Sequence, residues 1–177
     1  MGARVGRRAL AAAAAVVLFG LVVAWALSPT PAQLQARVAA SAAAGHVVLL
    51  DRGQVPALLA DALVATEDER FNQHHGIDGI GLGRAVSYDI WNRCFCQGGS
   101  TLTEQLVKLV YLGDDHGWNK VVDTFLAFKL ESGLDKRRIL ADYLSVVPTG
   151  AGLTGAPAAA CTYFGKPLGQ LDLAHAS

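Results

Sequence analysis

The sequence predicts a mainly α-helical domain that follows one N-terminal membrane-spanning helix. One observation is a stretch without charge, from Ala9 to Leu27. A second is a series of apolar segments with helical spacing, separated by glycine turns. A third is that one short run, Val47 to Leu50, is the only segment typical of a β-strand. The part after the uncharged stretch, about 150 residues, is long enough to bury a core.

The uncharged stretch is about as long as a bilayer is thick. Its 19 residues extend roughly 28 Å as a helix. Arginines in residues 1–8 predict a cytoplasmic N-terminus, so a single-pass anchor at 9–27 would place the remainder outside the cytoplasmic (inner) membrane. A cleaved signal peptide is the alternative, because Ala24-Trp25-Ala26 resembles a cleavage site, although such peptides usually have only ~7–15 apolar residues.

The segment after the anchor predicts a linker and then the first helices. Residues 28–44 form a juxtamembrane linker with the proline-containing SPTPAQ at 28–33 and a helix from Gln33 to Ala43. The β-like run comes next, at the start of a domain that covers 45–177. Pro56 then suits the first turn of another helix.

Capping patterns set the starts of two later helices. Thr101, with Glu104 three residues on, forms a capping-box pattern that predicts a helix directly after Gly98-Gly99-Ser100. Asp135 is a suitable N-cap for KRRILADYLSVV. The helices predicted in this part of the chain cover roughly 78–92, 101–112, 118–131, 135–147, 156–163 and 170 onward.

Charge and cysteine content narrow the function classes. The chain has 15 basic and 15 acidic side chains and a net charge of zero, which gives no electrostatic reason to expect a nucleic acid as partner. Three cysteines, Cys94, Cys96 and Cys161, predict at least one free thiol or an intermolecular disulfide in an oxidising compartment. His116 is the only nearby candidate for a further zinc ligand, and its spacing matches no zinc pattern, so no metal site is predicted at the cysteines.

Three consecutive acids, Glu67 to Glu69, stand at the end of an apolar helix pattern. Leu59 and Leu63 are four residues apart, and one more turn of this stripe reaches Glu67. We therefore expect Glu67 on the apolar side of its helix, with Asp68 and Glu69 directed away. Such a carboxylate can exchange a proton near neutral pH. A solvated helix end is the alternative that the spacing leaves open.

The stretch QGGSTLTEQLVKLVYL at 97–112 has the features of an anion site. Glycines before a helix start leave backbone N–H groups free to bind an anion. Thr101, Gln105 and Lys108 follow at i, i+4 and i+7 and are expected on one polar face, with Ser100 beside them. A phosphate-like ligand fits these groups, although the spacing is not that of a Walker P-loop.

These segments together resemble one enzyme family. EDERFNQHHGID resembles the first signature of the peptidoglycan glycosyltransferases, glycosyltransferase family 51, whose pattern is E-D-x-x-F-x-x-H-x-G. GGSTLTEQLVK resembles their second signature, KVVDTFLAFKLESGLDKRRILADYL follows the third and fourth segments, and YFGKPLGQLDLA resembles a later one. The likeness runs from about residue 45 to the last residue.

The resemblance implies a lysozyme-like helical domain at the outer face of the membrane. Such a domain polymerises lipid II by inverting glycosyl transfer, and polyprenyl pyrophosphate leaves. Its implied partners are lipid II, the growing glycan chain and the membrane, and other cell-wall synthesis proteins are further candidates. The resemblance also allows a divalent cation, Mg or Mn, to bind at the pyrophosphate. The implied catalytic acids are Glu67 and Asp123; the implied substrate-binding residues are Asp68, Phe71, His74, Ser100, Thr101, Gln105, Lys108 and Lys120.

Departures from the family pattern allow a second hypothesis about the function. Asn119 stands where the third segment usually has arginine, and Asp123 replaces a glutamate. Glu104 stands where glutamine is usual, and the chain ends where members continue through more helix. These changes would suit a non-catalytic lipid II-binding or cell-wall scaffold protein. A lysozyme-like hydrolase shares the fold but leaves the anchor and the anion site unexplained.

Overall fold

The computed structural model describes residues 2–47, 49–94, 96, 98–112 and 119–172. Helices account for most of this part of the chain, and no strand occurs within it. The α-helices are α1 Gly2–Leu27, α2 Pro31–Ala44, α3 Ala57–Glu67, α4 Gly79–Asn92, α5 Leu102–Val107, α6 Asn119–Glu131, α7 Lys136–Val146 and α8 Ala156–Phe164. Short turns complete them: 3-10 turns at Arg52–Gln54 and Leu168–Gln170, and a π-helical turn at Lys108–Leu112.

The predicted mainly helical fold is confirmed, and so are the helix caps predicted at Thr101 and Asp135. Thr30 caps α2 with a reciprocal bond to Gln33, Thr101 and Glu104 form the expected capping box, and the Asp135 carboxylate accepts from the Arg138 amide. Each cap supplies an acceptor to an amide that has no partner inside its own helix. The observed starts of α2, α5 and α7 therefore lie within two residues of the predicted ones.

Helix α1 contains an apolar segment that is long enough to cross a membrane. The segment runs from Gly6 to Leu27 and is not buried against the rest of the protein. Its last turn contacts α6: the Trp25 ring lies 5.7 Å from Phe125, edge to face, and the Lys129 ammonium bonds Ser28. The end of α1 is therefore docked on the helical domain.

The core forms where α5 is enclosed by α6 and α7, with α2 packed on α7. Leu102, Leu106 and Val107 of α5 are completely buried, as is Ile139 of α7. In α7, every residue from Ile139 to Val146 is buried. These two helices form the rigid support on which the candidate site lies.

Two secondary-structure predictions were wrong. The β-like run from Val47 to Leu50 forms no strand at its described positions 47, 49 and 50. Instead, the Leu50 amide donates to Ser145 Oγ at 2.9 Å, so a helix side chain takes the place of a neighbouring strand. The helix expected from 170 onward is also not seen: a 3-10 turn ends at Gln170, and Leu171 and Asp172 are not helical. Val48 and residues 173–177 lie outside the described part of the chain.

Candidate active site

Glu67 and Asp68 lie where α3 ends, and their environments are the reverse of those expected. Asp68 has φ −155° and ψ 68°, so the helix stops before the next turn can form. Glu67 is exposed, whereas Asp68 is buried. The expectation that Glu67 lies against an apolar surface was therefore wrong: the residue is the last of α3, and its side chain borders an open cleft.

The Asp68 carboxylate joins the end of α3 to the start of α5. It accepts from the Leu102 amide at 2.9 Å and lies 3.0 Å from His74 Nε2. Phe71 is completely buried, with its ring edge to face against His74. Of these residues predicted to bind substrate, Phe71 and His74 are buried away from the cleft, and Asp68 is buried at its lining. They hold the loop that presents Glu67.

Glu67 is held from α5 and α7 rather than from its own helix. Gln105 Nε2 donates to Glu67 Oε2 at 3.1 Å, and the Tyr143 hydroxyl donates to Gln105 Oε1 at 3.0 Å. Burial raises the pKa of Tyr143 to about 12, and the charge of Glu67 adds to the effect. Sequence reasoning missed Tyr143, because a tyrosine inside an apolar helix pattern is indistinguishable from a core residue.

Thr101 is a structural residue at the start of α5. Its side chain is 2% exposed, donates to Gly76 O at 2.7 Å and accepts from the Glu104 amide. Gly76 has φ +83°, and a Cβ there would lie 2.6 Å from the backbone of Phe128, so this loop passes tightly over α6. Of the expected polar face, Gln105 is bonded to Glu67 and Tyr143, and Lys108 is exposed.

Lys120 is paired with a buried acid. Its Nζ lies 2.8 Å from Glu104 Oε2 and 3.0 Å from Ser100 Oγ. The other carboxylate oxygen of Glu104 accepts from Thr124 at 2.6 Å. Glu104 therefore joins α5 to α6 and neutralises one of the two lysines predicted to bind an anion. Its importance was missed because a glutamate at N3 of a helix is fully explained by the capping box.

Asp123 is buried beside the same cluster. Burial raises the pKa of Asp123 above its ordinary value; Glu104 acts in the same direction, while Lys120 and Lys108 oppose it. Among the described residues, its Oδ1 has no hydrogen-bond partner. Asn119, at the start of α6, has no described side chain, so the consequence of the missing arginine stays a prediction.

An open cleft of about 240 Å³ lies beside Glu67. The end of α3 and the start of α4 form one wall, and Gly98 to Thr101 form the other. Arg84 of α4 contacts Glu69 across the rim at 3.1 Å. The cleft is therefore lined by the exposed Glu67 and by Gly98 and Gly99, whereas Lys108, Lys120 and Asp123 lie outside its lining.

The three cysteines differ in their bonding. Cys94 and Cys96 are bonded to each other, and Cys161 is free and exposed. Within the described residues, no group of three His, Cys, Asp or Glu side chains could hold a metal ion. His116, considered as a zinc ligand, lies outside those residues.

Comparisons with known proteins identify the family. A family model described as Transglycosylase matches residues 34–177. The chain is 40% identical over 121 residues to penicillin-binding protein 1A of Escherichia coli, covering 68% of this chain and 14% of that protein. It is 40% identical over 123 residues to the biosynthetic peptidoglycan transglycosylase of Nitrosomonas eutropha, covering 69% and 50%. The chain thus matches half or less of each relative's length.

Proposed function

The chain belongs to the peptidoglycan glycosyltransferases, glycosyltransferase family 51, and from that membership we propose that it polymerises lipid II into glycan strands. The observation that carries the proposal is the position of Glu67. It is the exposed carboxylate at the end of α3, beside the glycine amides of an open cleft, with a fixed amide donor on one oxygen. A base in this position can reach a sugar hydroxyl that enters the cleft.

The reaction is an inverting glycosyl transfer. The 4-hydroxyl oxygen of one lipid-linked disaccharide attacks the anomeric carbon of the growing chain, and a new glycosidic bond forms. The hydroxyl proton passes to the Glu67 carboxylate. The bond from the anomeric carbon to the phosphate oxygen breaks, and its electron pair leaves with the polyprenyl pyrophosphate. Glu67 must therefore be ionised before the attack, because only the carboxylate can accept the proton.

The departing pyrophosphate needs positive charge and hydrogen-bond donors. Lys108 is exposed at the start of the π-helical turn, and Lys120 lies 3.0 Å from the Ser100 hydroxyl. Gly98, Gly99 and Ser100 line the cleft beside Glu67. Charge-assisted bonds from such groups stabilise an anion more than neutral donors do. We propose that these residues hold the pyrophosphate, with Asp123 beside them.

A divalent cation, Mg or Mn, would bind at this pyrophosphate with help from Asp123. The buried Oδ1 of Asp123 has no partner among the described residues, whereas both Glu104 oxygens are already bonded. One uncommitted carboxylate oxygen suits Mg²⁺, which takes most of its ligands from water and substrate phosphates. The cation would neutralise charge on the leaving group.

The N-terminal helix supports a membrane-anchored protein. Lipid-linked substrates lie in the bilayer, and α1 is long and apolar enough to reach across it. We propose a single-pass anchor in the cytoplasmic membrane with the site on the outer side. Trp25, within the segment that resembles a cleavage site, packs on Phe125 and Phe128 of α6. This docking favours a retained anchor over a cleaved signal peptide.

A non-catalytic lipid II binder is the second candidate. The ion pair between Lys120 and Glu104 is the observation that favours it, because it reduces the positive charge available to the pyrophosphate. In such a protein the cleft would bind the lipid-linked sugar without transferring it.

Incubation of the detergent-solubilised full chain with labelled lipid II separates these functions. We expect a ladder of glycan strands on a gel. Binding of lipid II without polymer would overturn the enzyme and favour the binder. Shortening of preformed glycan strands would favour a hydrolase instead. Repeating the incubation with a chelator, and again with added Mg²⁺, tests the cation: unchanged polymerisation would remove it from the mechanism.

A further inference from the structure

Gln105 stands between Tyr143 and Glu67 in a chain of two hydrogen bonds. Tyr143 on α7 donates to its oxygen, and its nitrogen donates to Glu67. We propose that Tyr143 is a positioning residue that fixes the side-chain amide of Gln105 and, through it, aims the Glu67 carboxylate. The proposal rests on the proposed function, in which Glu67 is the base.

The arrangement fixes which way the amide faces. An amide has one end that only accepts and one end that only donates. With the Tyr143 hydroxyl donating to Oε1, the NH₂ group must face Glu67. The opposite orientation would put Oε1 against a carboxylate oxygen, leaving two acceptors in contact.

Tyr143 stays a donor throughout the working range of pH. Burial raises its pKa to about 12, so the phenol keeps its proton at neutral and mildly alkaline pH. The residue is 6% exposed and lies in the buried run of α7. Its ring therefore has little freedom to turn the hydroxyl away from Gln105.

The supports of Gln105 are equally rigid. Its neighbours along α5, Glu104 and Leu106, are both buried. By contrast, Glu67 is exposed and ends its helix, so its side chain would sample several rotamers without the bond from Gln105. The bond uses Oε2, and within the described residues no hydrogen bond engages Oε1. One carboxylate oxygen is thereby held while the other is left for the substrate hydroxyl.

Tyr143→Phe tests the proposal, since it removes the hydroxyl and keeps the buried ring. We expect kcat for lipid II polymerisation to fall about tenfold, as for the loss of one hydrogen bond, with KM within about twofold. The acid limb of the pH–rate profile should move to higher pH, because the ionised carboxylate loses the fixed donor that favours it. Tyr163→Phe is the matched control: that exposed tyrosine donates to the Thr149 carbonyl in another part of the molecule.

A double substitution shows whether Tyr143 acts through Gln105. In a Gln105→Met background, Tyr143→Phe should cause no further loss of kcat. If the two substitutions lowered kcat independently, so that their effects multiplied, the proposed relay from Tyr143 through Gln105 to Glu67 would be overturned. A Tyr143→Phe enzyme with the wild-type rate and pH profile would also overturn it.

An activity-independent measurement separates this proposal from the function on which it rests. The ¹⁵N-detected side-chain NH₂ signals of Gln105, assigned by their loss in Gln105→Met, should shift in both Tyr143→Phe and Glu67→Gln but not in Tyr163→Phe. Unmoved signals in Tyr143→Phe would overturn the relay even in an active enzyme. A wild type that makes no polymer but shows these shifts would overturn the proposed function and leave the hydrogen-bonded relay in place.

Discussion

Adjacent carboxylates at the end of α3 carry different roles because the chain turns between them. Glu67 is in solvent and accepts one bond from Gln105, whereas Asp68 is buried and accepts from the Leu102 amide and His74. Removal of a buried charged acceptor leaves its partners unsatisfied. Removal of charge from an exposed one leaves the fold nearly unchanged.

Glu67→Gln should therefore abolish polymerisation without unfolding the protein. The glutamine keeps an acceptor for Gln105 but cannot take up the hydroxyl proton, and loss of a general base typically costs ~10²–10⁴-fold in rate. The measurement is the initial rate of glycan formation beside thermal melting. Asp68→Asn is the contrasting variant, because it should lower the melting temperature. A Glu67→Gln enzyme within a few-fold of wild type would rule Glu67 out as the base.

The burial of Asp123 predicts that the free energy of unfolding depends on pH. Its pKa is raised mainly by burial, so the folded protein binds this proton more tightly than the unfolded chain does. As pH rises above the ordinary value of 3.8, the folded state must ionise a buried group, and stability falls through that window.

Asp123→Asn should remove that fall, because the amide does not ionise. At neutral pH we expect the variant to be more stable than wild type, with the difference disappearing at acidic pH. Denaturant unfolding at a series of pH values measures it. Asp61→Asn, an exposed acid on α3, serves as control. A difference that does not change with pH would contradict the burial argument.

Helix α6 links the end of the apolar helix α1, the proposed anchor, to the candidate site. Lys120 and Asp123 lie in its first turns, and Lys129, near its end, is 6% exposed and bonded to oxygens of the anchor. The Lys129 ammonium contacts the Trp25 carbonyl, the Ser28 carbonyl at 2.9 Å and the Ser28 hydroxyl at 2.7 Å. A cation at these last carbonyls of α1 also complements the helix dipole.

Lys129→Met should loosen the junction between anchor and domain. Charge-assisted bonds of this kind stabilise by roughly 1.5–3 kcal/mol each, so we expect limited proteolysis at residues 28–30 to accelerate at least about tenfold. Arg137→Met, which removes an exposed cation from α7, is the control. Equal cleavage rates in the two variants would show that Lys129 does not hold the anchor.

Over the whole chain, local signals predicted the helices well and the surroundings of their side chains less well. The caps at Thr101 and Asp135 depend on neighbouring residues, so sequence alone revealed them. Burial of Asp68 depends on an amide 34 positions away, and the Tyr143–Gln105 bond spans 38 positions. Contacts between distant segments leave no periodic pattern in the sequence, which is why Tyr143 was missed while Glu67 was named as the candidate base.

The charge of the whole chain sums to zero, so attraction of an anionic substrate depends on the local cluster. There, Lys108 and Lys120 are balanced by Glu104 and Asp123. The side chain of Glu104 is only 4% exposed, whereas that of Lys120 is 48% exposed. A change at Glu104 can therefore release Lys120 to the substrate while leaving its ammonium solvated.

Glu104→Gln should tighten binding of lipid II. Glutamine at this position keeps the capping box with Thr101 but no longer neutralises Lys120, and one added charge-assisted bond corresponds to about a tenfold gain in affinity. The gain should shrink as salt is added, because screening weakens exposed charges. Titration of labelled lipid II at low and high salt measures it, with Asp61→Asn as control.

Weaker binding in Glu104→Gln would show that Glu104 holds Lys120 in position rather than suppressing it. If affinity rises and polymerisation rises with it, the wild type is an enzyme with a weakened anion site; higher affinity without polymer would favour a protein that only binds.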